Sequence, residues 1–314
     1  MKTFRNVLFV HSDGPGNDAA LRQAFALASA HGGTLAVISV TKALPGIPDL
    51  RNAYLDYRRA QVDQVLTAAI AQTESPKIDL SAISVSHLEG EPFLEIIRDV
   101  LKEDRDIVIK AAEADSRHPK RGFSSQDLQL LRQCPCPVWL FKPTENDPAA
   151  PRLLAAIDPS ESGNDALSRR IVEIAAGLRS QLGASARLDI VHCWELPHEQ
   201  SFRNHPFLRI PDDRLDDIVR SSEILRRNAV ETALAGMVDG DDGTKIRLEK
   251  GDPVKLVPQI AQSEGIDLVV MGTVARTGIP GLFIGNTAES ILSGLPCSLL
   301  AIKPPGFRSA ITLG

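Results

Sequence analysis

Apolar residues in this chain come in short unbroken runs separated by stretches of helical spacing. Val7-Leu8-Phe9-Val10 is the first run, and similar ones fall at 35–40, 106–109 and 138–141. Runs of this length without alternation predict strands buried on both faces, as in a parallel sheet. Residues 80–88 alternate instead, which predicts a strand with one wetter face. Between the runs, Leu21, Phe25, Leu27 and Ala28 mark a helix over 18–30, closed by Gly32-Gly33. Residues 49–72 contain neither glycine nor proline and predict a long helix. Gly90-Glu91-Pro92 opens another with proline in its first turn, and 124–132 is a short one.

After a polar, proline-bearing linker at 142–151 the pattern begins again. Strands are predicted at 153–157, 188–193, 246–249, 268–271 and 298–302, with helices at 164–182, 213–236, 253–263 and 287–292. The two halves also match residue by residue. Gly16-Asn17-Asp18-Ala19 echoes Gly163-Asn164-Asp165-Ala166 at a shift of 147. Glu89-Gly90-Glu91-Pro92 echoes Lys250-Gly251-Asp252-Pro253 at a shift of 161. Asp106, Pro135-Cys136 and Lys142-Pro143 echo Asp267, Pro296-Cys297 and Lys303-Pro304 at that same 161. The growth in shift is an insertion of fourteen residues, much of it placed at 195–212. The fold class is therefore α/β: a tandem duplication, each repeat a five-stranded parallel sheet flanked by helices. The expected domains are 1–145 and 150–314. One continuous sheet, or side chains plugging the space between Asp158 and Gly285, would end the case for two copies of one unit of which the second keeps a mouth fit for a triphosphate.

Composition narrows the function. The 314 residues are 43% hydrophobic and 24% charged, a globular mix. A formal charge of −5 without basic blocks argues against a nucleic-acid partner. The first apolar run is too short for a signal peptide and no run approaches a membrane span, so a cytoplasmic protein with reduced thiols is expected. Cys134-Pro-Cys136 is too tight for a strain-free disulfide and lacks a second pair of zinc ligands. The seven histidines are dispersed, with His198 and His205 in the inserted segment, and no metal-ligand spacing appears. Gly14-Pro15-Gly16-Asn17-Asp18-Ala19 imitates a dinucleotide loop, but the following strand ends Val40-Thr41-Lys42 without the acid that would hold a ribose. Turn formation and helix capping by Asn17 or Asp18 are the expected roles there.

The chemistry concentrates between 267 and 289. An apolar strand ends at Gly272, a loop carrying Gly278, Gly281 and Gly285 follows, and Asn286-Thr287 opens a helix. Strand, glycine loop and helix N-terminus together form an anion cradle, since backbone N–H groups converge and glycine lets them approach closely.

At these residues the chain resembles the universal stress protein family, over essentially its whole length, and its tandem E-type members in particular. The family signature is Gly-x2-Gly-x9-Gly-(Ser/Thr); Gly272, Ala275, Gly285 and Asn286 occupy its positions. Val270-Met271-Gly272-Thr273 and Leu282-Phe283-Ile284-Gly285-Asn286-Thr287-Ala288-Glu289 carry the likeness in the second half, and Asp127-Leu128-Gln129-Leu130-Leu131-Arg132 in a degenerate first half. The resemblance implies an adenine-nucleotide alpha hydrolase-like fold and an intramolecular pseudo-dimer of the two domains. It implies a ligand, ATP or a related adenine nucleotide, with magnesium only alongside the nucleotide. Asp158 and Pro159 then sit by the base, with His11 in the corresponding first-half place. His192-Cys193 supply a backbone contact, and Gly272, Thr273, Ala275, Arg276, Gly285, Asn286 and Thr287 line the phosphates. Alanine at 275 in a left-handed conformation would cost about 1 kcal/mol. In the first half Lys110-Ala111-Ala112-Glu113 has no glycine before Gly122, and Glu113 and Asp115 would repel phosphate, although Arg117, Lys120 and Arg121 complicate the field.

The function implied is a stress-response protein acting without catalysis, as a ligand-responsive or scaffold module. The alternatives are a slow ATP hydrolase and a carrier of an apolar or lipid-like ligand through the first half. Phe202, Phe207, Leu208 and Ile210 in the insertion predict a lid or packing on the other half. The fifth strands, 138–141 and 298–302, are candidates for domain pairing, their apolar character being equally explained by burial inside each sheet. A homodimer and the identity of any protein partner stay open.

Overall fold

The computed structural model of the chain describes residues 4–30, 32–44, 46–71, 80–113, 122–144, 150–159, 165–204, 210–237, 244–273 and 284–313. The first half runs β1 (Asn6–His11), α1 (Asn17–Ala30), β2 (Thr34–Thr41), α2 (Pro48–Ala71), β3 (Ile83–Glu89), α3 (Pro92–Glu103), β4 (Ile107–Ala111), α4 (Ser125–Gln133) and β5 (Val138–Phe141). The second runs β6 (Arg152–Ala156), α5 (Asp165–Leu182), β7 (Arg187–Trp194), α6 (Glu199–Asn204), α7 (Asp212–Leu234), β8 (Lys245–Lys250), α8 (Pro253–Ser263), β9 (Leu268–Gly272), α9 (Asn286–Gly294) and β10 (Ser298–Ile302). Two pieces went unread in the sequence. A single 3-10 turn at Leu80–Ala82 takes what reads as the start of β3, and α6 forms within the inserted segment.

The strands lie in the order β3-β2-β1-β4-β5-β10-β9-β6-β7-β8 in one sheet of ten. The expectation of separate sheets is thus corrected. Each half keeps its own parallel set in the same internal order, and the two sets are fused by β5 and β10, which pair antiparallel with Leu299 opposite Leu140 and Leu300 opposite Trp139. Each fifth strand is a short apolar edge, and pairing edge to edge buries both without breaking the pattern inside either half. The duplication survives because, among the described residues, the antiparallel step is the joint. The outer edges are β3 and β8, and β8 is guarded by Lys245, Arg247, Glu249 and Lys250.

Helices cover both faces. One core contains Phe9, Leu21, Phe25 and Val37 of the first half with Ile171, Leu178 and Ile190 of the second. The other contains Leu8, Ile97 and Leu131 with Val257, Ile291 and Leu299. Across the joint the halves exchange lysines. Lys142 Nζ donates to the Leu295 carbonyl at 2.9 Å, beyond the end of α9. Lys303 Nζ donates to the carbonyls of Leu131 and Arg132, in the last turn of α4. Each cation thus satisfies carbonyls that a helix end leaves unpaired in the other half. Gly14-Pro15-Gly16 is a turn here: Gly16 has φ +83°, and a Cβ on it would meet Pro143 Cγ at 2.6 Å. Asn17 does not cap α1. Its side-chain oxygen accepts from Ser12 N at 2.9 Å and its amide meets His11 Nδ1 at 2.9 Å, closing the loop before the helix.

Candidate functional site

In a parallel sheet the crevice lies where neighbouring strands send their crossovers to opposite faces, outside the strand C-termini. In the second half that point is between β6 and β9, which pair directly while β7 and β10 lie beyond them. A cavity of about 270 Å³ opens there. Asp158 stands at its rim, just past β6, with its side chain 51% exposed. Gly272 ends β9, and Gly285, Asn286 and Thr287 form the mouth of α9. Cys193 on β7 completes the set; burial pushes its thiol up to about 12, so it is a neutral wall group at physiological pH.

Six of the eleven residues expected at a nucleotide site therefore line one cavity. Three do not. Pro159 is buried beside it. His192 is 2% exposed and its Nδ1 meets the Ile157 carbonyl at 3.1 Å; burial, ahead of the other influences on the ring, lowers its pKa and favours the neutral form. Its Nδ1 lies 3.7 Å from Asp158 Oδ1. Thr273 is fully buried, its hydroxyl 3.3 Å from Lys303 Nζ and its carbonyl accepting from Gly285 N at 3.1 Å, which closes the base of the loop. Ala275 and Arg276 lie outside the described residues.

Sequence reading missed the walls. Leu167, Ser168 and Ile171 come from the start of α5, and Pro253 and Val257 from the start of α8. Their i,i+4 spacing was visible but reads as ordinary helix core. The available signal was topological: in a strand–helix alternation the first turns of helices fall at the strand C-termini. A larger cavity, about 760 Å³, opens at the opposite end of β6 and β7 around Arg152, Arg187 and Asp189. Two of its lining acids, Asp189 and Glu264, are held by Arg247, and among the described residues that line it none begins a helix or ends a strand. Geometry favours the smaller one. Among the described residues no group of three or more His, Cys, Asp or Glu could hold a metal ion, and no helix is long and apolar enough to cross a membrane.

The family model described as the universal stress protein family matches residues 3–142 and again 150–303. The chain belongs to the universal stress protein family. Universal stress protein E of Escherichia coli strain K12 is 31% identical over 235 residues, 71% of this chain and 69% of the relative. Universal stress protein E of Photorhabdus laumondii is 26% identical across 99% of this chain and 98% of its own length. Among solved structures, a functionally unknown protein of Pseudomonas aeruginosa PAO1 superposes with a TM-score of 0.71 at 23% identity, covering 96% and 93% of the two chains. A universal stress protein of Archaeoglobus fulgidus gives 0.56 at 18%, covering 95% and 98%. These two likenesses bear on the fold alone.

The two universal stress repeats differ at the start of the fourth helix. In the second half Gly285 is the N-cap, with no side chain accepting from the first turn. In the first half Ser124 stands at the equivalent place and forms a capping box with Asp127. Asp127 is 0% exposed. Its oxygens accept from Glu113 N at 2.9 Å, Ser124 N at 3.3 Å and Lys110 Nζ at 2.9 Å. Burial opposes the Lys110 charge, yet Asp127 and Glu113 outweigh it and raise its pKa. Lys110 and Asp127 stand where the second half has Met271 and Ala288. The first repeat thus places its own carboxylate at the start of its fourth helix, whereas among the described residues no carboxylate caps the start of α9.

Proposed function

We propose that this universal stress protein binds an adenine nucleotide at the second-half cavity and works without catalysis, as a ligand-responsive module. The observation that carries the reading is the start of α9 at Gly285, which has no side-chain cap among the described residues and lies with Gly272 on one cavity, set against the Asp127-capped equivalent in the first repeat. The N–H groups of a helix's first turn and its dipole favour a phosphate there. The apolar walls from α5 and α8 suit a flat base, and Asp158 can accept from its exocyclic amine. The bound nucleotide is ATP or a relative, with magnesium arriving only on the phosphates. The domains, 1–145 and 150–314, then divide the work: the first serves as a structural half and the second as the binding half.

The test is to purify the chain, denature it and identify released small molecules by mass spectrometry. An adenine nucleotide is expected in roughly one-to-one amount. An apolar molecule instead would select a carrier, and phosphate release from ATP on incubation with magnesium would select a hydrolase. Chain that releases nothing and shows no ATP binding by calorimetry would end the reading.

A further inference from the structure

In the first repeat two buried polar atoms at the end of β1 lack a partner among the described residues. One belongs to His11, which is 6% exposed. Asn17 fixes the state of this ring. The Asn17 side-chain oxygen accepts from Ser12 N at 2.9 Å, so its amide nitrogen is the atom that meets His11 Nδ1 at 2.9 Å. An amide N–H donates, so Nδ1 accepts and the proton of the neutral ring sits on Nε2. Burial, ahead of the Arg58 charge, lowers the pKa of the ring and keeps it neutral. Nε2 is therefore a buried donor. Gln61 faces it from α2, yet no hydrogen bond of ordinary geometry closes between them. The Ser12 hydroxyl, one residue on, is buried and unpaired as well. Leaving such a group unpaired costs about 1–3 kcal/mol, which a ligand that supplies the partner recovers.

Both residues line a groove of about 490 Å³ between α1 and α2. That volume is within the range of small-molecule sites. The groove is not the first repeat's copy of the second-half cavity. Helices α5 and α8 wall that cavity, and their counterparts are α1 and α3, whereas α2 corresponds to α7. Register separates the two sites further. Val7 and Leu153 pair with the first residues of β4 and β9, so His11 corresponds to Ile157, and Ser12 rather than His11 stands in the place of Asp158. The second repeat thus has an apolar side chain where the first has the unpaired ring donor. Charge around the groove balances: Asp13 and Asp18 line it against Arg22, and Arg58 pairs with Asp13. No net field draws in an anion or a cation, and the two carboxylates oppose a phosphate. Tyr57 lines the same groove, is 58% exposed and accepts from Gln61 Nε2 at 2.8 Å, which holds its ring. We infer that this groove binds a small uncharged polyhydroxy compound, a sugar or polyol. One of its hydroxyl oxygens accepts from His11 Nε2 and Ser12 Oγ, and others donate to Asp13 and Asp18. A hydroxyl both donates and accepts, so a single chemical group serves the donor floor and the acceptor rim. The Tyr57 ring offers an apolar surface to the C–H groups. The inference does not rest on nucleotide binding in the second half.

Titration of the whole chain with glucose, trehalose and myo-inositol tests it, by calorimetry and by NMR of isotope-labelled histidine. At least one of the three should bind one-to-one, with a Kd on the order of 0.1–1 mM for a groove with so exposed a rim. The same probe should shift the His11 Nε2–H signal. Ser12→Ala deletes a hydroxyl that has no partner in the fold, so Tm should hold while affinity falls about tenfold. His11→Phe should weaken binding by at least as much. Gly272→Val, aimed at the second-half cavity, should leave sugar binding unchanged. Absence of heat and of any shift with all three probes up to about 20 mM overturns the proposal. So does binding indifferent to Ser12→Ala and His11→Phe, and so does binding that Gly272→Val abolishes. Inorganic phosphate binding more tightly than the sugars, and moving the same His11 signal, would overturn the choice of an uncharged ligand.

Discussion

Gly272 shows how little volume separates an open cavity from a closed one. A Cβ built there would come within 2.8 Å of Leu167 Cδ2 and 3.8 Å of Ile171 Cδ1, both in walls of the cavity. Gly272→Ala moves a flexible leucine tip and should be tolerated. Gly272→Val drives Leu167 and Ile171 into the space a base would occupy. Retained nucleotide should fall at least tenfold, with a stability loss of about 1–3 kcal/mol. Adding Leu167→Ala should return part of the binding, as mass spectrometry of the released ligand would show. Lys303 poses a different single-residue question. It is 1% exposed, and burial, with no carboxylate among its described partners, lowers its pKa to about 8. Below pH 8 the ammonium is charged in folded and unfolded chain alike, so its penalty is constant. Between 8 and about 10.4 the unfolded chain binds more protons, so this group makes stability rise with pH. The buried thiols of Cys193 and Cys297, pushed up to about 12, act in the opposite direction above pH 9. The difference between wild type and Lys303→Met isolates the lysine. Denaturant titrations should show the wild type gaining on the variant by about 3 kcal/mol from pH 8 to 10.5, and a flat difference would mean that the ammonium is not desolvated.

Among the elements, α4 and α9 carry the contrast on which the proposed function rests. Replacing Asp127 by Ala leaves the Lys110 ammonium with Glu113 as its carboxylate partner and takes the acceptor from two part-buried N–H groups, and should cost about 1–3 kcal/mol in urea titrations. Copying the pair into the second half, Met271→Lys with Ala288→Asp, should leave a folded chain that retains no nucleotide. Retention by that variant would place the phosphates away from α9. Half of this contrast was legible in the sequence. The loop from Gly272 to Thr287 announced a cradle because glycine spacing is a local property, and unbroken apolar runs announced the central strands for the same reason. Asp127 entered only as part of the first half's family likeness, since its role needs Lys110, seventeen residues away and in contact only after folding. The walls from α5 and α8 were hidden because a residue lining a cavity and one filling a core share the same spacing. The 3-10 turn and α6 are too short to set up a period at all. The fifth strands read as candidates for domain pairing, and β5 and β10 do pair; what could not be read is that the pairing makes one sheet of two, since an apolar edge strand reads the same whether a helix or another strand covers it.

For the whole molecule, the joint decides whether two repeats behave as one body. The β5–β10 ladder is short, with three register pairs, and would not by itself fuse two domains. Around it, Lys142 and Lys303 reach across in both directions, and Arg132 on α4 pairs with Glu289 on α9 at 3.0 Å. Lys303 is the most consequential of these contacts, because the same ammonium touches the α4 carbonyls and Thr273, whose carbonyl holds Gly285 at the base of the candidate loop. A change at the loop therefore has a direct mechanical route into the first repeat. Calorimetry should accordingly record one unfolding transition, with van't Hoff and calorimetric enthalpies nearly equal. Saturation with ATP should move that whole transition upward, by an amount set by ligand concentration over Kd. In the double variant Lys142→Met, Lys303→Met the peak should broaden or split, and ATP should then shift only the part that belongs to residues 150–314. Two resolved transitions in the wild-type chain would mean that the shared sheet transmits nothing. An unsplit peak in the double variant would assign the coupling to the β5–β10 ladder and the apolar packing around it, since those are the interactions the lysines leave untouched.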